Sequence, residues 1–138
     1  MGKTIQKLMT PNPRTVTADA TLLEAAKAMR DEDAGVIPVV DGDRLVGVVT
    51  DRDIVVRAIA EGRDPGSTKV GEIASKDLIT VDPQQELAEA LRLMAQYQVR
   101  RLPVVEEDGR LAGIVAQADI ARAGDDVRTG EVVEQISQ

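Results

Sequence analysis

The chain of 138 residues contains no cysteine and no histidine, and Tyr97 is its only aromatic residue. Without cysteine there is neither a disulfide nor a thiolate metal site. Without histidine the commonest general base and the commonest zinc ligand are missing. A histidine-based catalytic triad and an HExxH zinc site are therefore excluded, and no clustered acidic loop indicates a carboxylate metal site. We expect a protein that is not an enzyme and that uses no catalytic cofactor.

Basic residues are outnumbered, since 17 Lys and Arg stand against 24 Asp and Glu and give a formal net charge of −7. An acidic chain is a poor nonspecific ligand for nucleic acid or for acidic membranes. No stretch approaches the length of an apolar transmembrane helix, and the first residues lack the apolar core of a signal peptide. We therefore expect a cytoplasmic protein without a nucleic-acid or membrane partner.

What the chain does have is an internal repeat. The segment GVIPVVDGDRLVGVVTDRDI at 35–54 returns as RRLPVVEEDGRLAGIVAQADI at 100–120. Pro38 and Pro103 are 65 positions apart, and one extra turn residue in the second copy then pairs Asp53 with Asp119. Repeats of this kind decide the fold and must be sought first. We place repeat one at 4–60 and repeat two at 69–123, followed by a polar tail at 124–138.

Each repeat reads as the same series of elements. An amphipathic lead-in turn and a short strand precede a helix, which apolar residues at helical spacing predict at 21–32 and again at 84–97. Two strands follow, joined by a turn rich in Asp and Gly that is typical of a hairpin, and a second helix is predicted at 51–62 and at 117–124. These elements predict a mixed α/β (α+β) fold. Two βαββα-type units are expected to pack sheet to sheet with pseudo-twofold symmetry.

The order, spacing and duplication of these segments resemble the CBS domain pair, also called the Bateman module. The likeness covers about residues 4–123 and is greatest to short, free-standing bacterial members such as the hypoxic response proteins. It implies a regulatory or sensor module. It also implies that an adenosine-containing ligand, such as AMP, ADP or ATP, binds as a regulatory ligand in clefts between the two repeats.

The resemblance implies two sets of binding residues. In each, the aspartate of a T/S-x-x-D motif holds the ribose hydroxyls, residues before the hairpin proline line the phosphates, and the other repeat supplies the adenine wall. Site one would consist of Thr50, Asp53, Gly35, Val36, Ser75, Ile79, Thr80 and Val99. Site two would consist of Asp119, Arg100, Arg101, Thr10, Arg14 and Thr15. Because site two has the arginines, it suits a phosphorylated ligand, and site one suits a neutral adenosyl group.

Simpler interpretations exist for the same residues. Thr50 and Asp53 also have the spacing of a helix capping box, although Asp119 persists where Ala116 replaces the threonine, which favours a further role for the aspartate. Arg100 and Arg101 also fit an exposed pair that serves solubility.

The family resemblance further implies a homodimer that packs through its helices. The candidate contacts are Val55, Val56 and Ile59, for which burial within the monomer is the alternative. The rival functional hypothesis is a dimeric interaction protein whose nucleotide clefts are vestigial and which docks on an unidentified protein partner.

Overall fold

The computed structural model describes residues 3–124 and shows a mixed α/β fold with two three-stranded sheets. This confirms the predicted fold class. The chain divides into two compact units. The continuous unit is Arg14–Leu78, and the discontinuous unit combines residues up to Pro13 with residues from Ile79 onward.

The helices and strands follow the predicted order with two differences: Thr10–Pro11 form an additional strand, β1, and repeat two has only the bridge residue Val81 where a short strand is predicted before its first helix. In chain order they are α1 (Ile5–Leu8), β1 (Thr10–Pro11), β2 (Val16–Thr17), α2 (Leu22–Glu32), β3 (Val36–Asp41), β4 (Arg44–Thr50), α3 (Asp51–Ile54), a π-helical segment (Val55–Ile59), a 3-10 helix (Val70–Glu72), α4 (Leu87–Tyr97), β5 (Arg101–Val105), β6 (Leu111–Ala116) and α5 (Gln117–Gly124).

The continuous unit is built on the hairpin of β3 and β4. Strand β2 adds to β3 in parallel, so that the sheet order is β2-β3-β4. The register of the hairpin shifts between Val39 and Val40, which marks a β-bulge. On the other side of β4, Ser75 exchanges two backbone hydrogen bonds with Val48, at 3.0 and 2.9 Å. The sheet thus receives a short antiparallel addition from the segment after the 3-10 helix.

The discontinuous unit repeats this arrangement with the hairpin of β5 and β6. Its register shift lies between Val104 and Val105. Strand β1 pairs antiparallel with β6, where Thr10 lies opposite Ile114. Val81 forms a parallel bridge with Val104 on the other side. Each unit therefore has the same four backbone segments in the same order.

The compact units do not coincide with the sequence repeats. The lead-in of repeat one, which ends in β1, belongs to the unit that holds the second hairpin. The lead-in of repeat two, which ends near Ser75, belongs to the unit that holds the first hairpin. The two repeats have thus exchanged their lead-in segments.

Each unit has its own aliphatic core. In the continuous unit, Leu22 and Ala25 of α2 pack with Ile37, Val49 and other apolar side chains of the sheet. In the discontinuous unit, α4 and α1 cover the sheet around the buried residues Ile5, Leu102, Val104 and Val115. These cores form because apolar residues recur at helical spacing on α2 and α4 and at strand spacing in the hairpins.

The first helix of each repeat was predicted with different accuracy. Helix α2 begins after Thr21, whose Oγ1 accepts the Glu24 N–H at 3.2 Å. Helix α4 begins at Leu87, three residues later than predicted. The delay arises because the Asp82 side chain accepts the Gln84 N–H at 2.7 Å and the Gln85 side chain accepts the Asp82 N–H at 2.8 Å. These bonds hold a turn instead of a helix.

The helix predicted at 51–62 is interrupted. After α3 the backbone widens into the π-helical segment Val55–Ile59, where the Ala60 N–H donates to the Val55 carbonyl at 2.8 Å. Val55, Val56 and Ile59 are 58%, 47% and 50% exposed. The alternative that these three are buried within the monomer is therefore wrong. Of the polar tail predicted at 124–138, all residues after Gly124 lie outside the described residues.

No helix among residues 3–124 is long and apolar enough to cross a bilayer.

Candidate functional site

The end of β4 and the start of α3 place Thr50 and Asp53 in a capping box. Thr50 Oγ1 accepts the Asp53 N–H at 2.9 Å, and Asp53 Oδ2 accepts the Thr50 N–H at 3.0 Å. Both residues are half-buried. The capping interpretation of this motif is therefore correct. It also fixes the direction of the Asp53 carboxylate, whose Oδ1 accepts no hydrogen bond from a described residue.

Asp119 occupies the equivalent place at the start of α5. Its Oδ2 accepts the Ala116 N–H at 3.1 Å, so the aspartate half of the capping box survives without the threonine. Asp119 therefore caps α5 without the threonine, and its further role in ligand binding stays a prediction. Asp119 Oδ1 pairs with Arg122, whose side chain is 77% exposed while that of Asp119 is only 11% exposed. Such an exposed partner adds little stability.

The hairpin entry lies directly beside the aspartate motif in both units. Val36 lies opposite Thr50 in the hairpin. The Asp51 N–H donates to the Gly35 carbonyl at 2.9 Å. The structure therefore brings together four residues predicted for site one, which are Gly35, Val36, Thr50 and Asp53.

The same contacts recur in the discontinuous unit. Arg101 lies opposite Ala116, and the Gln117 N–H donates to the Arg100 carbonyl at 2.8 Å. Arg100, Arg101 and Asp119 of predicted site two are thus neighbours. Neither arginine forms an ion pair with any residue between 3 and 124. Arg100 is exposed and Arg101 is half-buried.

The remaining predicted residues are divided between the units. Ser75 lies in the continuous unit with Thr50, and Thr10 lies in the discontinuous unit with Asp119. Ile79, Thr80 and Val99 belong to the discontinuous unit, whereas Arg14 and Thr15 belong to the continuous unit. The role of these residues in an adenine wall stays a prediction.

Arg14 is not a free cation for a ligand in this structure. Its Nη1 lies 3.1 Å from Asp31 Oδ2. Hydrogen bonds from Arg30 and Arg14 lower the pKa of the Asp31 carboxyl below its usual value. Arg14 and Thr15 also line an open pocket of about 370 Å³, and the other lining residues are Val16, Thr17, Ala20, Glu24 and Lys27.

Two residues beside the motif were missed from the sequence, Asp51 and Gln117. Each is the first residue of the helix that follows the hairpin, and each donates its backbone N–H to the residue before the hairpin. The offset of 66 positions that pairs Asp53 with Asp119 in the sequence also pairs Asp51 with Gln117. Their positions matter because they differ in charge between the two units.

Comparison with known proteins identifies the family of this chain. The CBS domain family matches residues 5–59 and 70–126. The CBS domain-containing protein YhcV of Bacillus subtilis is 44% identical over 85% of this chain and 82% of its own length. Hypoxic response protein 1 of Mycobacterium tuberculosis is 43% identical over 86% of this chain and 83% of its own. The predicted resemblance is confirmed.

Solved structures agree with the sequence comparison. The crystal structure of hypoxic response protein I with two coordinated zinc ions has a TM-score of 0.80, covering 87% of this chain and 98% of its own. This chain has no cysteine or histidine, and residues 3–124 contain no group of three acidic side chains placed to hold a metal.

Two further structures contain adenosyl ligands. The CBSX2 protein in complex with AMP is 30% identical, with a TM-score of 0.77 over 88% of this chain and 96% of its own. The CBS domain pair of protein MJ0100, in complex with 5′-methylthioadenosine and S-adenosylmethionine, is 27% identical, with a TM-score of 0.77 over 89% and 96%. By family match, sequence identity and fold, this chain belongs to the CBS domain family.

Proposed function

We propose that this protein is a regulatory module that binds an adenosine-containing ligand and catalyses no reaction. One observation carries the proposal: both units hold a carboxylate in the same orientation beside the hairpin entry, at Asp53 and at Asp119. The complexes of related CBS proteins with AMP and with S-adenosylmethionine support the choice of ligand class.

The chemistry of the carboxylates fits a ribose. An ionised carboxylate accepts hydrogen bonds only, and a vicinal diol offers two donors to it. Asp53 Oδ2 receives one backbone N–H and keeps a second lone pair, while Oδ1 receives nothing from the described residues. Asp53 can therefore accept both hydroxyls without giving up its cap. Asp119 can do the same once the exposed Arg122 side chain moves aside.

The proposal is tested by the thermal unfolding of the full chain with AMP, ADP, ATP, S-adenosylmethionine and NAD. A ligand at 100 times its Kd adds about 2.7 kcal/mol to the free energy of unfolding. For a chain of this size that raises Tm by several degrees. No shift with any of the five compounds would refute the proposal.

The variants Asp53→Asn and Asp119→Asn show whether the carboxylates bind the ligand. An asparagine oxygen can still accept the backbone N–H of the cap, so the substitution removes the charge and largely retains the helix start. We expect each variant to weaken binding at its own unit. The matched control is Thr21→Ala, which removes the cap of α2 and lowers stability but should leave the ligand-induced shift unchanged.

A second function is favoured by the exposed side chains Val55, Val56 and Ile59. Adjacent exposed apolar residues mark interaction surfaces, and we propose a second copy of this chain as the partner. In this alternative the protein acts as a dimeric docking protein and its nucleotide sites are vestigial. Size-exclusion chromatography with light scattering should show a dimer that Val56→Lys with Ile59→Lys converts to a monomer. A monomeric wild-type chain at about 100 μM, well above the ~1 μM at which a moderate interface associates, would exclude this alternative.

A further inference from the structure

The two units differ in charge at structurally equivalent positions. The residues before the hairpin, at its first position and at the start of the following helix are Gly35, Val36 and Asp51 in the continuous unit. In the discontinuous unit they are Arg100, Arg101 and Gln117. The equivalence rests on the same backbone hydrogen bond, 2.9 Å long in one unit and 2.8 Å in the other, and on the same hairpin register.

The Asp51 carboxylate covers the backbone at Gly35. A Cβ atom placed on Gly35 would lie 3.0 Å from Asp51 Oδ2 and 3.3 Å from Oδ1. Oδ1 accepts the Arg52 N–H at 2.8 Å, and no residue between 3 and 124 forms an ion pair with Asp51. The continuous unit therefore has a carboxylate without an ion-pair partner among residues 3–124 at the place where the other unit has an arginine and a neutral amide.

This charge is close to the proposed ribose site. Asp53 Oδ2 accepts the N–H of Thr50, which lies opposite Val36 in the hairpin. The Asp51 carboxylate lies beside Gly35, the residue directly before Val36. A 5′ substituent that extends from a ribose at Asp53 toward Gly35 approaches the Asp51 carboxylate, and charges closer than the Debye length, about 8 Å at physiological salt, are little screened. A 5′-phosphate at this site would thus face a carboxylate with little screening, and like charges that close are repelled.

We propose that Asp51 makes the site at Asp53 selective for adenosyl ligands without a 5′-phosphate. A neutral thioether or a cationic sulfonium on the 5′ carbon meets no repulsion there. The site at Asp119, with Arg100 and Arg101 beside it, takes the phosphorylated ligand. This inference rests on the proposed function and assigns a different ligand class to each unit.

The test uses isothermal titration of the full chain carrying Asp119→Asn, so that Asp53 provides the remaining site. The probes are 5′-methylthioadenosine and AMP. We expect 5′-methylthioadenosine to bind at least roughly tenfold more tightly, a ratio that corresponds to about 1.4 kcal/mol. Adding Asp51→Asn should raise the affinity for AMP by a similar factor and leave that for 5′-methylthioadenosine within about twofold, because only the phosphate carries charge.

Asp43→Asn is the matched control. It removes the same charge in the hairpin turn, about 17 Å along the strand from Val36 and beyond the Debye length. It should leave both affinities unchanged. Higher salt should reduce the preference against AMP in the Asp119→Asn protein, since screening weakens the repulsion.

A reciprocal experiment uses Asp53→Asn, which leaves the site at Asp119. There Gln117→Asp should lower the affinity for AMP by roughly tenfold, the factor expected when about 1.4 kcal/mol of like-charge repulsion is introduced. Unchanged AMP binding in this variant would count against the inference.

The outcomes separate this inference from the proposed function. If the wild-type chain binds neither of these probes and none of the five compounds of the thermal-unfolding test, the proposed function fails. The inference alone fails if AMP binds the Asp119→Asn protein as tightly as 5′-methylthioadenosine. It also fails if Asp51→Asn and Asp43→Asn have the same effect, or if the wild-type chain binds a probe but the Asp119→Asn protein binds neither.

Discussion

Gly113 provides the sharpest test of how the lead-in segment joins the sheet of the discontinuous unit. It lies in β6, between Pro11 of β1 and Val104 of β5. A Cβ atom on Gly113 would lie 2.5 Å from the Thr10 carbonyl oxygen and 2.8 Å from Met9 Sδ. We therefore predict that Gly113→Ala destabilises the fold by forcing β1 away from β6.

The expected size follows from these distances. The methionine can change rotamer, but the Thr10 oxygen belongs to the backbone that pairs with β6 and cannot move without lengthening that pairing. Overpacking of this kind costs roughly 1–3 kcal/mol, and each weakened hydrogen bond adds about 0.5–1.5 kcal/mol. A total of about 2–4 kcal/mol is large against the ~5–15 kcal/mol of a typical domain.

Urea unfolding followed by far-UV circular dichroism measures this loss as a lower midpoint at an unchanged m-value. Gly47 is the equivalent residue in the continuous unit, and its Cβ would lie 2.9 Å from the Ser75 carbonyl oxygen, with its next neighbour, Ala74 Cβ, at 3.7 Å. Gly47→Ala should therefore cost less, about 1–2 kcal/mol. Gly66→Ala is the control, since its Cβ would have no neighbour closer than 3.6 Å. If Gly113→Ala is as stable as Gly66→Ala, the close approach of β1 to β6 is refuted.

Two further predictions concern the helix starts and the response to acid. Thr50→Ala should lower the free energy of unfolding by about 1 kcal/mol, because it removes the cap of α3. Ala116→Thr should raise it by up to that amount, because the new hydroxyl adds the missing acceptor for the Asp119 N–H. Equal urea midpoints for both variants and the wild type would contradict these two predictions. Hydrogen bonds from the Lys69 N–H and Arg63 lower the pKa of Glu72 below its usual 4.5. The ionised Glu72 carboxylate therefore stabilises the folded chain fully above pH 4.5, and this stabilisation is lost as the pH falls through the lowered pKa of the folded state. Glu72→Gln should flatten the decline in stability between pH 6 and pH 3, and an unchanged decline would refute the role of Glu72.

The hairpins were the most predictable part of the fold. Strand β5 has the predicted limits 101–105 and helix α5 has the predicted limits 117–124. Strands β3 and β6 each extend one residue beyond the predicted 36–40 and 111–115, and β4 extends one residue beyond both ends of the predicted 45–49. The reason is local: apolar runs are separated by turns in which Gly42 and Gly109 adopt positive φ, which glycine does at little cost. The positions of Thr50 and Asp53 beside Gly35 and Val36 follow from the same hairpin register.

The exchange of lead-in segments could not be predicted in this way. Ser75 pairs with Val48, and Thr10 pairs with Ile114. In both pairs the two partners are far apart in the sequence. The local pattern of apolar residues is the same whether a lead-in stays with its own hairpin or joins the other. The π-helical segment was also missed, because the residues Val55–Ile59 have the same side-chain pattern as an α-helix and the extra residue per turn is a backbone property.

The capping and the binding interpretations of the aspartate motif support each other. The Thr50 N–H holds the Asp53 carboxylate in one orientation, and Thr50 Oγ1 accepts the Asp53 backbone N–H, so both parts of the residue are fixed before any ligand arrives. A ligand that finds its acceptor already ordered does not have to immobilise that side chain, and this saving appears as affinity. Asp119 accepts the Ala116 N–H, but no threonine hydroxyl fixes its backbone, and Arg122 competes for its carboxylate. A ligand would therefore have to immobilise more of the Asp119 side chain. Completing the cap with Ala116→Thr should therefore tighten binding at Asp119 as well as stabilise the helix, whereas a motif that serves capping alone would gain stability without any change in ligand affinity.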